Sequence, residues 1–354
     1  MQHAFSKDLS LQVGYVGNHG TKLLGNVDVN QPDPNSFQEI ACGHCEQAGR
    51  PYNSKFPFLA VINMLGNHYE SNYNSLQVTV TQRSSHGLSY ILGYTYGHTL
   101  DQQSENYATV GPQNHRSLSP EYGNSDFDIR HRLTFSTSYA IPARHFKGQL
   151  LEGWQLNSIL TLQSAQPWGV VDATDDISQT GEFSDRWDFF GRTSDIKPSP
   201  AGIPYFQGSS SAACVSAAQA VDGGLNGPTS ASLSQFGCYA KGNSVLIPPA
   251  KGTFGTMRRN IFRDNGFWNW DFSVSKNWKF GDKFTAQFRA EGFNLVNHPN
   301  LANPWGGPNG YAHTDPSAPG SFGCSCATAD VAGANPVIGS GGNRAVQLGL
   351  KILF

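Results

Sequence analysis

The chain has 354 residues and a formal net charge of −2, and only 14% of its side chains are charged, against roughly 25% in ordinary soluble domains. This balance supplies no basic field for nucleic acid, so no nucleic-acid partner is expected. No apolar run approaches the ~18 residues of a spanning helix, but a transmembrane β-barrel stays open because its strands are apolar only at every second position.

Period-2 alternation marks eight strands in chain order. The first, about 8–17, sets Leu9, Leu11, Val13 and Tyr15 against Ser10, Gln12 and Gly14. The second, about 73–83, sets Leu76, Val78 and Val80 against Ser75, Gln77 and Thr79; the third, about 87–99, sets Leu88, Tyr90, Leu92, Tyr94 and Tyr96 against Ser89, Gly93 and Thr95. Leu133, Phe135 and Tyr139 alternate with Thr134, Ser136 and Ser138 in the fourth, about 130–141. In the fifth, about 153–165, Trp154, Leu156, Leu160 and Leu162 alternate with Gln155, Asn157, Thr161 and Gln163. The sixth, about 267–279, places Trp268, Trp270, Phe272, Val274 and Trp278 opposite Asn269, Asp271, Ser273 and Ser275. The seventh, about 283–294, holds Phe284, Phe288 and Ala290 opposite Thr285, Gln287, Arg289 and Glu291, and the eighth, about 344–354, ends on Phe354. The non-apolar faces are Ser, Thr, Gln, Asn and Gly, where a soluble surface carries more Lys and Glu. Aromatic residues crowd the strand ends, as the girdles of a membrane barrel do.

The connections alternate. SSHG, PARHFKGQLLE and FGDK are short, whereas 18–72, 100–129, 166–266 and 295–343 are long. Outer-membrane barrels have short periplasmic turns and long outer loops. This parity predicts an all-β, antiparallel transmembrane barrel portion of about eight strands across 1–354, with both chain ends on the short-turn, periplasmic side. The start MQHAFSKDLSLQVGYVGNHG lacks a basic n-region followed by an apolar h-region and does not read as a secretory signal. An exported chain beginning this way is expected to be a piece of a longer one or to carry a misplaced start.

All six cysteines, Cys42, Cys45, Cys214, Cys238, Cys324 and Cys326, fall in loops. Their even count points to disulfides in an oxidising compartment, with local pairing the simplest arrangement; a Cys324–Cys326 bridge would be strained. CGHC also has zinc-like spacing, but no second close pair is evident to complete four ligands.

The motifs LQVGYVGNHGTKL, YNSLQVTVTQRSSHGLSYILGYTYGHTLD, SDFDIRHRLTFSTSYAIP, GWQLNSILTLQSAQPW and FRAEGFNLVNHPN, in that order and followed by the terminal Phe354, resemble TonB-dependent receptors of the Oar-like type. The resemblance covers nearly the whole chain apart from loop interiors. It implies the C-terminal third of a plugged barrel of roughly 22 strands, with signal peptide, N-terminal β-sandwich, plug and TonB-contacting segment outside this sequence. It also implies that Phe354 is read by barrel-insertion machinery, although Phe354 can equally anchor the strand at the inner interface. Outer-membrane lipid and lipopolysaccharide, the missing plug and N-terminal strands, and TonB through the missing part are the expected partners.

Asp271, Arg289 and Glu291 are expected to line the lumen, as a charge ladder that orients a plug or as a structural group. Arg130, His131 and Arg132 cluster at an outer strand end, suited to lipopolysaccharide phosphates or to a solvated rim. Asp172, Asp175 and Asp176 are calcium candidates that lack the EF-hand order. The chain has no G-x-S-x-G, H-E-x-x-H or phosphate-binding glycine loop, so neither enzymatic activity nor a cofactor is expected. A self-standing small barrel or adhesin that binds partners through its loops is the alternative function.

Overall fold

The computed structural model describes residues 1–34, 46–104, 111–142, 149–174, 176–207, 212, 214–216, 219, 227–281, 284–304, 315–320, 322–329 and 341–354. Among these residues sixteen strands follow one another: β1 (Gln2–Ala4), β2 (Leu9–Asp28), β3 (Asn63–Ser85), β4 (Leu88–Asp101), β5 (Gly123–Asn124), β6 (His131–Ala140), β7 (Trp154–Gln163), β8 (Pro167–Trp168), β9 (Asp188–Phe190), β10 (Tyr205–Phe206), β11 (Cys238–Lys241), β12 (Ser244–Ile247), β13 (Phe262–Arg263), β14 (Phe267–Phe280), β15 (Phe284–Phe293) and β16 (Ala345–Leu353). No helix among the described residues is long and apolar enough to cross a membrane.

One antiparallel sheet runs β1-β2-β3-β4-β6-β7-β14-β15-β16, with β5 beside β4. Each long strand pairs with its neighbour in sequence, so the sheet is an up-and-down meander. It does not close, and β1 and β16 are its edges. Each of the eight predicted strands appears as a long strand. Two outrun their pattern: β2 continues to Asp28 and β3 begins at Asn63. Their register shifts between Gly20 and Leu24, where Lys22 has φ of 56°. An irregularity there breaks the alternation on which the sequence reading depends.

The register defines two faces. Leu133, Phe135 and Tyr139 of β6 stand opposite Leu162, Leu160 and Leu156 of β7, and Leu160 and Leu156 in turn stand opposite Trp270 and Val274 of β14. Asn157 is level with Ser138 on one side and Ser273 on the other. At these positions the first face is apolar across the three strands, and the second polar.

The β3–β4 hairpin turns on His86 and Gly87, with φ of 53° and 82°. Positive φ at both central residues is the type I′ geometry that suits strand twist, and glycine enters it without a Cβ penalty. The β6–β7 and β14–β15 connections lie at this same end. β1 corrects one expectation. Because Gln2–Ala4 pairs back along Ser10–Gln12, the N-terminal amine of Met1 donates to the Val13 carbonyl, partway along the sheet. Only Phe354 sits at the short-turn end, one residue beyond the Leu353–Thr285 pair.

The long loops at the opposite end form a folded layer. A four-stranded sheet, β10-β11-β12-β9, and the pair β13-β8 enclose a core of Trp168, Ile177, Trp187, Tyr239, Leu246 and Phe322. Beside it, Leu233, Val245 and Ile247 pack around Cys214 and Cys238, which are joined by a disulfide.

Candidate functional site

The predicted lumen charges only partly converge. Arg289 and Glu291 pair across 3.4 Å on the polar face of β15. Asp271 is held apart from them, accepting from the Asn294 backbone N–H at 2.9 Å and Asn269 Nδ2 at 2.8 Å. No three-residue ladder forms.

The rim cluster is divided. Asp128 takes Arg130 Nε at 2.7 Å, and His131 contacts the rings of Tyr94 and Tyr96. Strand alternation puts Arg132, opposite Thr95, on the other face from His131, opposite Tyr96. These three residues therefore make no common phosphate site. Asp128 is instead a junction where Arg263, Arg130, His98 and the Thr99 backbone N–H converge. Burial pushes its carboxyl up, but the hydrogen bonds from Arg263, Thr99, Arg130 and His98 outweigh this and hold its pKa at about 2.

The loop acids are engaged in structure. Asp172 accepts from Trp187 Nε1 at 3.0 Å. Asp176 accepts the backbone N–H groups of Thr180 and Gly181. Asp175 lies outside the described residues, and no His, Cys, Asp and Glu group suited to a metal ion occurs among those described. Cys42 and Cys45 also lie outside them, so the zinc-like CGHC reading has no described geometry. Cys324 bonds to Cys326, two positions along.

The sequence reading missed the way the loops interlock. Gln113, from the second long loop, clasps the third: Arg186 N–H donates to its Oε1 at 3.1 Å, and its Nε2 donates to the Gly255 carbonyl at 2.9 Å. A Cβ at Gly255 would collide with the Arg186 carbonyl, so this approach requires glycine. Glu121 completes the clasp, pairing with Arg186 Nη1 at 2.6 Å in a buried salt bridge. Arg259 joins Asp101, and Asn260 Nδ2 donates to the Asn124 carbonyl at 2.9 Å. The first loop docks on the second where Asp28 N–H donates to His115 Nδ1 at 2.8 Å, and the fourth docks on the third where Tyr239 Oη donates to the Pro316 carbonyl at 2.6 Å. Around the clasp, loops two and three and the ends of β3 and β4 bound a cavity of about 850 Å3 lined by Arg186, Arg258, Gln113, Tyr122 and Met257 among others. The signal available in the sequence was weak: a scatter of Arg, Gln and Asn through loops whose contacts span 65 to 158 residues.

A two-faced antiparallel meander, with short turns at one end and an interlocked loop layer at the other, defines an outer-membrane β-barrel protein. The chain belongs to the family described as outer membrane beta barrel domain, whose model matches residues 1–330. Its place is accordingly the outer membrane of a Gram-negative bacterium, with the apolar face toward lipid. Among solved structures, the outer membrane transporter YddB from Escherichia coli is similar, with a TM-score of 0.36 and 9% identity over 84% of this chain and 28% of that one. A likeness of that size carries no argument, and this chain spans little more than a quarter of that structure. Comparison with curated proteins finds no match.

Proposed function

We propose that this chain is part of the barrel of a TonB-dependent receptor of the Oar-like type and that its loop layer captures a solute before passage. The observation that carries this reading is the interlocked layer, with its cavity, over a sheet whose two edges are unpaired. In hydrocarbon an unpaired strand edge is costly, so β1 and β16 call for partner strands. Strands and a plug from the same receptor supply them in this reading, and TonB acts through those parts. The chain alone then performs no energised transport and no catalysis.

The short-turn end faces the periplasm, and Phe354 serves there as the assembly signal. Lipid and lipopolysaccharide surround the apolar face. A self-standing eight-stranded barrel is the second reading, but its interior would be filled by side chains, and nothing in the open sheet favours it. Genomic sequence directly upstream of Met1 tests the proposal. In-frame codons for a plug, a β-sandwich and a signal peptide are expected. A promoter with a signal peptide alone would overturn it in favour of the small barrel.

A further inference from the structure

We propose that the Cys324–Cys326 disulfide is a thiol-exchange site, at which a small external thiol of the glutathione class bonds covalently to Cys326. The two disulfides among the described residues differ in their surroundings. Cys214 and Cys238 are both 0% exposed and lie inside the cluster of Leu233, Val245 and Ile247. Cys326 is exposed, and its partner Cys324 is 3% exposed. Exchange begins when a thiolate reaches a disulfide sulfur, so access selects both the bond and the sulfur that is attacked. The bonds also differ in span. Cys214–Cys238 closes a separation of 24 residues and Cys324–Cys326 one of 2. Loop entropy gives the shorter span the smaller contribution to folding. By linkage, the folded layer then protects the shorter bond less against reduction. This inference rests on the loop layer and not on the receptor reading.

The external thiolate attacks Cys326 Sγ, the Cys324–Cys326 bond breaks, and a mixed disulfide forms between the incoming sulfur and Cys326. The electron pair leaves on Cys324 Sγ, which takes a proton from water. The Pro200 carbonyl oxygen, 3.5 Å from that sulfur, is placed to accept the new S–H. A second thiol then removes the first as its own disulfide and leaves Cys326 as a thiolate, or Cys324 attacks Cys326 and restores the original bond. Backbone hydrogen bonds hold the segment meanwhile. Ser199 N–H donates to the Gly323 carbonyl at 3.2 Å, Ser325 N–H to the Ser199 carbonyl at 3.1 Å, and Ile203 N–H to the Phe322 carbonyl at 3.3 Å. Phe322 itself is buried in the loop core. The site therefore opens without unfolding the layer.

The test uses the full chain, extracted from outer membranes into detergent and titrated with reduced glutathione. After quenching, free thiols are alkylated with N-ethylmaleimide and the state of each cysteine is read by peptide mass. Cys324 and Cys326 should be modified at about a tenfold lower glutathione concentration than Cys214 and Cys238, with the protease resistance of the layer unchanged at that dose. Two variants then locate the reactive sulfur. Under glutathione disulfide, Cys324→Ser should gain an adduct on Cys326 about tenfold faster than Cys326→Ser gains one on Cys324. Protease resistance equal to that of the unaltered chain verifies that both variants fold. Opening of both bonds at the same concentration, loss of protease resistance as Cys324–Cys326 opens, equal adduct formation in the two variants, or native peptides that join Cys324 or Cys326 to Cys42 or Cys45 would each overturn the proposal. The receptor reading stands or falls separately, on the upstream reading frame.

Discussion

Lys276 breaks the apolar face of β14 and is fully buried there. Its Nζ lies 5.6 Å from the Trp154 ring centre and 4.9 Å from that of Trp278, and it donates to the carbonyls of Gln149 and Glu152 in the β6–β7 turn. A cation near lipid is tolerated because aromatic faces and turn carbonyls replace its water. Lys276→Met strands those carbonyls and should cost about 1–3 kcal/mol, read as a lower urea midpoint in detergent; an unchanged midpoint would refute the role. Ser158 and Ile159 show the limit of reading polarity alone, for both interrupt the pattern of β7. The register puts Ser158 opposite Phe272, on the apolar face, where it accepts Trp270 Nε1 at 2.8 Å. Ile159 stands on the polar face opposite Asp271. Alternation legible in Trp154, Leu156, Leu160 and Leu162 identified the strand, but hydrogen bonding explains its exceptions.

Among the elements, the long strands were legible because a bilayer imposes period 2 on every residue that crosses it. The extensions of β2 and β3 were not, since GNHGTKLLGN and NMLGNHYESN project past the apolar band and meet no such demand. The loop layer was invisible for a related reason. Trp168, Trp187, Tyr239 and Phe322 come from segments far apart in sequence and lie on strands too short, or loops too irregular, to show a period. The disulfide Cys214–Cys238 closes a separation of 24 residues, worth about 3 kcal/mol by loop entropy. Reduction, or Cys238→Ala, should open the layer to protease while leaving the barrel strands protected; equal resistance in both states would contradict this.

The layer should also sense pH. Burial pushes Asp185 from 3.8 to about 8, and burial together with the neighbouring Asp28 pushes Glu182 from 4.5 to about 8. Both hold their protons more tightly folded than unfolded. Their contribution to stability is therefore full below the ordinary carboxylate range, declines above it, and is gone once pH passes about 8. Burial lowers His115 from 6.5, so its contribution runs the other way: present above 6.5 and lost as pH falls through its depressed value. Protease resistance of the layer should fall between neutral pH and pH of about 9, and Asp185→Asn should flatten that slope. A layer that becomes more resistant with rising pH would contradict it.

At the scale of the whole molecule, one physical requirement organises the chain: backbone groups paired between strands, with predominantly apolar side chains toward hydrocarbon. The backbone pairing is met across β2 to β15 and left open at the outer edges of β1 and β16. The most direct test is a spin-label scan along β6 and β7 in the outer membrane, reading accessibility to oxygen against a water-soluble nickel chelate. Labels at 133, 135, 137, 139, 156, 158, 160 and 162 should be oxygen-accessible, and those at 134, 136, 138, 155, 157, 159 and 161 should favour the chelate. The decisive positions are 137 and 158, polar by sequence but on the lipid side, and 159, apolar by sequence but on the other. Accessibility that follows residue polarity there, or shows no period of two, would contradict the membrane-spanning sheet.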